Sequence, residues 1–207
     1  MIDLSKKNIL TDNLTTLEET SYDKANSQYM THSNFEVVHF DKVKEKYIFK
    51  KTGIPSKKLR SNDALVILND EKEPKFIFIE FKNGNLNTNH EHEKIRSKIN
   101  ESLWILNDIL DETLSFDKNN INYILVYNKE KNNKYALKTI SAKKAGKSFL
   151  IGGFSRYNVF FHDVKTVNDD EFKKIVSDLE NSCYVFWLLF YYEYHFMEEC
   201  LFTHKEP

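Results

Sequence analysis

The sequence predicts an α/β fold, a mixed central β-sheet flanked by helices, on three observations. Two apolar runs, 63–68 and 76–82, are separated by a short polar turn. A stretch from Glu91 to Glu112 repeats its apolar residues at helical intervals, and a β-branched and aromatic run follows at 121–127. Strands, then a helix, then further strands and a helix are accommodated by a sheet covered with helices.

Taken in chain order, residues 5–30 are polar with Leu10, Leu14 and Leu17 at helical spacing, which predicts a short helix whose carboxylates are Glu18 and Glu19. Segments 35–40 and 46–49 combine aromatic and β-branched residues and are expected as strands. Runs 63–68 and 76–82 are expected to fold back on each other as an antiparallel hairpin. Asn83-Gly84-Asn85 makes a turn, and Ile95, Ile99, Leu103, Leu106 and Leu110 mark the apolar stripe of the next helix. Its other face bears Lys94, Arg96, Lys98, Glu101 and Ser102. Strands are expected at 121–127, 135–140 and 158–162. A helix is expected over 169–181, opened by acidic residues and packed through Phe172, Ile175, Val176 and Leu179.

At 207 residues the chain fits a single domain, 1–207, with its core at about 35–165 and a helical, aromatic-rich extension at 166–207. Hydrophobic residues at 41% and charged residues at 29%, with only five Gly and three Pro, are those of a globular protein without long disordered linkers. The apolar run 183–192 and its continuation are too short and too interrupted by Glu193, His195, Glu198 and Glu199 to span a bilayer. It is expected to bury against the domain, or to form a homodimer or partner interface through 183–202. Cys183 and Cys200 make no metal or disulfide pattern, and the first residues lack the succession of a signal peptide, so a cytoplasmic protein is expected.

The net charge of −1 argues against a uniformly basic nucleic-acid binder, so charge distribution matters more. Lysines and one arginine crowd the segment from Lys42 to Arg60 against Glu45 alone, and a second basic stretch runs from Lys129 to Lys147. Such loops supply phosphate contacts or simply keep a protein solvated.

The hairpin concentrates the chemistry. Strand alternation puts Glu80 and Lys82 on one face while Ile79 and Phe81 point the other way, and folding back brings Asp63 beside them. Two carboxylates and a lysine suit a hard divalent cation that takes one or two carboxylates, water and substrate phosphate, which points to phosphodiester hydrolysis. Ordinary surface patterning of a strand yields the same residue types.

Asp63 at a strand start, followed by Glu80-Phe81-Lys82 at the end of the next strand, resembles the signature of the PD-(D/E)XK nuclease superfamily. Position 62 is Asn where that signature often has Pro, and the resemblance covers roughly residues 60–110. It implies a restriction-endonuclease-like sandwich and a nuclease dependent on Mg²⁺ or Mn²⁺, acting on DNA more than on RNA. Asp63, Glu80 and the Phe81 carbonyl would hold the metal, and Lys82 would position the water. Superfamily members add an acidic residue from a preceding helix, for which Glu18, Glu19 and Glu36 are the candidates, and polar residues from the following helix, here Lys98 and Ser102. Lys50, Lys51, Lys57, Lys58 and Arg60 would meet the nucleic-acid backbone. The alternative on the same fold is a noncatalytic protein of the immunity or antitoxin type that acts by binding another protein.

Three other motifs carry less. Ala145-Gly-Lys-Ser148 lacks the earlier Gly of a phosphate loop, so no triphosphate site is expected. His90-Glu91-His92-Glu93 are adjacent and cannot all face one ion, and His162-Asp163 has no identifiable nucleophile.

Overall fold

Six strands form one mixed sheet, and its middle is the hairpin expected from the sequence. The computed structural model describes residues 8–55, 59–68, 75–145 and 160–181. In chain order these form α1 (Asn8–Thr11), β1 (Leu14–Thr16), α2 (Leu17–Thr20), β2 (Tyr22–Asp23), β3 (Gln28–Tyr29), β4 (Glu36–His39) and α3 (Phe40–Thr52). There follow β5 (Ala64–Leu68), β6 (Lys75–Lys82), α4 (Asn89–Leu110), α5 (Leu114–Asn120), β7 (Ile121–Tyr127), α6 (Asn133–Lys144) and β8 (Asp163–Asn168). A last helix, α7, runs over 169–181.

The sheet order is β1-β4-β5-β6-β7-β8, while β2 and β3 form a separate small hairpin. Neighbours from β1 to β6 are antiparallel, and β6, β7 and β8 are parallel. The antiparallel hairpin needs only a turn, whereas the parallel β6–β7 pair needs a crossover, which α4 and α5 supply. Central β6 and β7 are covered on both faces and are accordingly almost wholly apolar, with Phe76, Phe78, Ile79, Tyr123, Leu125 and Val126 buried.

Three local expectations are corrected. Segment 46–49 is helical, not a strand: it lies inside α3, whose buried Phe40, Val43, Tyr47 and Ile48 repeat at three and four residues. That helix ends where Gly53 takes a left-handed φ of 69° and its N–H donates to the Phe49 carbonyl. Segment 135–140 is likewise helical, within α6, where Tyr135 and Thr139 are one turn apart and Tyr135 meets Tyr127 edge-on at 5.3 Å. Aromatic and β-branched residues suggested strands in both places, but burial at period four prevailed over propensity. The helix expected within 5–30 is broken into α1, β1 and α2, because Leu14 is an exposed edge-strand residue while Leu10 and Leu17 are buried.

The eighth strand also begins later than expected. Residues 160–162 are outside any strand, residues 158 and 159 lie outside the described residues, and pairing with β7 runs from Asn122↔Asp163 to Tyr127↔Asn168.

The chain divides into two compact units, Met1–Asp169 and Asp170–Pro207. Within the second, Phe172 and Val176 are buried one turn apart, as the periodicity predicted. The apolar run 183–202 lies outside the described residues. Among the described residues no helix is long and apolar enough to cross a membrane.

Candidate functional site

Hairpin register brings the two carboxylates together. Ala64 pairs with Ile79, so Asp63, one residue before β5, falls opposite Glu80. The backbone fixes it: the Asp63 N–H donates to the Ile79 carbonyl at 3.2 Å, and the Phe81 N–H donates to Asp63 Oδ2 at 2.7 Å. The side chain thus accepts a strand N–H as a carbonyl would, and its own rotamer is held.

A cation from α4 completes the group. Lys98 Nζ donates to Asp63 Oδ1 at 3.0 Å and to Glu80 Oε2 at 2.8 Å, and lies 2.7 Å from Glu80 Oε1. Glu80 is fully buried, while the Asp63 and Lys98 side chains are 18% and 21% exposed. Helix α4 is placed by its N-cap, where Thr88 Oγ1 accepts the Glu91 N–H at 3.2 Å, and by its buried stripe of Ile95, Ile99, Leu103, Leu106 and Leu110. One turn beyond Lys98, Ser102 Oγ accepts the Asn62 N–H at 2.8 Å. The helix therefore grips the segment that delivers Asp63 at two successive turns.

Burial and then the neighbouring Asp63 push Glu80 up to about 8, against the pull of Lys98 and Lys82. Burial alone would lower Lys98, yet Asp63 and then Glu80 hold its proton well above the usual lysine range. One ammonium between two ionised carboxylates leaves an excess negative charge in a dry place. A proton on Glu80 removes it.

The structure places Lys82 differently from Lys98. Lys82 shares the strand face of Glu80, but its ammonium pairs with Glu91 Oε2 at 2.9 Å, and Glu91 Oε1 also accepts from Lys94 at 2.5 Å. Burial opposes ionisation of Glu91, but hydrogen bonds from Lys94 and Lys82 bring it down to about 2. Lys98, which the sequence offered only as an accessory, is the lysine that touches both carboxylates.

The other accessory residues are scattered. Glu18 binds His32 Nδ1 at 2.7 Å, Glu19 is exposed on α2, and Glu36 is exposed opposite Thr16. No described hydrogen bond or ion pair joins any of the three to Asp63 or Glu80. Ser102 is buried and structural. Lys50 and Arg60 are exposed, Lys51 pairs with Asp108 at 2.8 Å, and Lys57 and Lys58 lie outside the described residues.

Asp63 and Glu80 both reach within 3.0 Å of a single point, the Lys98 nitrogen, and Glu80 Oε1 is a buried oxygen with no directed hydrogen bond among the described residues. Among the described residues no three or more His, Cys, Asp or Glu converge as a metal cluster. Two carboxylates plus water and substrate oxygens are the donor set of Mg²⁺, so the residues present fit such an ion. No protein-family model, curated protein or solved structure matches this chain.

Several neighbours were not visible in the sequence. Asp41, near the start of α3, binds Ser61 Oγ and Lys44 and senses the Lys98 charge. His39 is lowered by burial and then by Lys42, and its Nδ1 is buried without a partner among the described residues. Asn62 is fully buried, with neither side-chain amide atom bonded among the described residues. Beyond Lys82, Asn83 accepts from Asn128 at 2.9 Å and donates to Gln28 at 3.3 Å, tying the hairpin β2–β3 to the end of β6.

Proposed function

We propose that the chain is a Mg²⁺- or Mn²⁺-dependent nuclease of PD-(D/E)XK type on a restriction-endonuclease-like sandwich, hydrolysing phosphodiester bonds of DNA in preference to RNA. The observation that carries this reading is the meeting of Asp63 and Glu80 within 3.0 Å of one cationic nitrogen at a sheet end. Asp63, Glu80 and the Phe81 carbonyl would hold the metal. The ion, when bound, supplies charge stabilisation at the phosphate and lowers the pKa of a water.

The chain's own residues then have distinct tasks. Asp63 is pre-oriented by the Phe81 N–H, so its carboxylate keeps its rotamer on binding. Lys82, on the Glu80 face and partly exposed, orients the attacking water, with Glu91 holding its ammonium in place. Exposed Lys50 and Arg60 contribute phosphate contacts without sequence choice. The protein works in the cytoplasm on this reading.

The test is cleavage of single- and double-stranded DNA and of RNA by the purified chain with Mg²⁺, Mn²⁺ or chelator, beside Lys82→Ala and Glu80→Gln. Metal-dependent cleavage lost in both variants supports the enzyme. Absence of cleavage and of metal binding sinks it.

A second reading, a noncatalytic immunity- or antitoxin-type binder, is favoured by the exposed Trp104, Phe49 and Ile54, at 55%, 56% and 69% exposure. A copurifying protein with no metal response would select it.

A further inference from the structure

Resting on the nuclease reading above, we propose that Lys98 is the resident cation of the site: its ammonium occupies the place between Asp63 and Glu80 that a divalent ion takes, and metal binding displaces it. Lys98 Nζ has three short contacts to the two carboxylates, at 2.7, 2.8 and 3.0 Å. A Mg²⁺ ion needs oxygens at about 2.0–2.1 Å, so an ion bridging the same oxygens cannot share the space with the ammonium. Two cations that close, half-shielded from solvent, also repel strongly.

The ammonium has somewhere to go. Lysine carries its charge on a flexible four-carbon stem, and the Lys98 side chain is 21% exposed, so its ammonium can swing toward solvent without backbone movement. The metal-free protein thereby keeps a cation against fully buried Glu80 and half-buried Asp63, whose pairing would otherwise oppose folding. Lys98 acts here as a positioning residue and a competitor for the site.

Two substitutions act in opposite directions. Lys98→Met removes the competitor, and Mn²⁺ titrated into the full chain should bind at least about tenfold more tightly than in the wild type. Lys98→Arg keeps a buried cation in a stiffer, larger form, and Mn²⁺ should bind at least about tenfold more weakly, with the fold retained. A merely structural lysine would weaken binding in both. The binding constants are read by Mn²⁺ electron paramagnetic resonance, with thermal melts in chelator and in excess Mn²⁺. The melting temperature of Lys98→Met should fall in chelator and recover with Mn²⁺ by more than that of the wild type.

Folded Lys98→Met that binds Mn²⁺ no better than the wild type overturns the proposal. Should that variant stay unfolded with metal present, Lys98→Arg decides: binding as tight as the wild type overturns it. If the wild type and both variants all fail to bind Mn²⁺, the nuclease reading fails and this inference falls with it.

Discussion

The Lys98 ammonium lies 2.7 Å from Glu80 Oε1, and Glu80 is fully buried near the end of the central strand β6. With Glu80 raised to about 8 from an ordinary 4.5, the folded chain holds a proton through this range that the unfolded chain has lost. Its contribution to stability is therefore complete below pH 4.5 and disappears as pH rises through 8. Glu80→Gln, neutral throughout, should melt at or above the wild-type temperature at pH 8 in chelator, and it should bind no Mn²⁺. Melts at pH 6 and 8 with a Mn²⁺ titration check both halves.

That same proton must leave before Glu80 can ligate an ion. Mn²⁺ affinity of the wild type should fall by up to about tenfold for each pH unit below 8. Titrations at pH 6, 7 and 8 measure the slope, and a flat profile would remove Glu80 from the ligand set.

Lys82 and Lys98 should separate cleanly. Lys82→Ala leaves the contacts among Asp63, Glu80 and Lys98 intact, because Lys82 is engaged with Glu91. Its Mn²⁺ affinity should stay near wild type while the cleavage rate falls by about a hundredfold or more. Parallel binding and rate measurements decide it.

Asp117 is a second buried carboxylate with a different lesson. Burial raises it to about 6 from 3.8 against the hydrogen bond from Asn107, and both its Oδ1 and Asn107 Oδ1 are buried without partners among the described residues. Its contribution to stability is full below pH 3.8 and lost as pH rises through 6. Asp117→Asn can pair both amides and carries no charge, so at pH 7.5 it should stabilise by up to about 3 kcal/mol and at pH 4 by little. Urea unfolding at the two pH values is the measurement.

Ser102→Ala should cost about 1–3 kcal/mol, because it strands the buried Asn62 N–H. Ser97→Ala, which loses only a contact with Glu101 nearer the surface, should cost well under 1 kcal/mol. Urea midpoints of the two variants give the comparison.

The hairpin and strand β7 are legible as short, nearly continuous apolar runs rich in β-branched and aromatic residues, buried on both faces, and helix α4 as a stripe repeating at three and four residues from Ile95 to Leu110. The α3 and α6 segments misled because Tyr47, Ile48 and Tyr135 have strand propensity, whereas their buried faces recur once per turn. Asp63 and Glu80 could be paired from register alone. Which lysine joins them could not, since alternation favours Lys82 while the reach of Lys98 depends on how α4 lies across the sheet. Asp41 and Asn62 carry no periodic signal at all.

Sequence distance has a kinetic consequence at this site. Asp63 and Glu80 belong to one local hairpin, whereas Lys98 lies 35 and 18 residues beyond them on a helix that must dock. Hairpins close in about 1–10 μs, ahead of parallel pairings such as Phe76↔Ile121, so like charges meet before their counter-ion arrives. Refolding should accordingly quicken in mildly acidic buffer and with added divalent ion, each of which lowers the repulsion that the growing nucleus must otherwise carry.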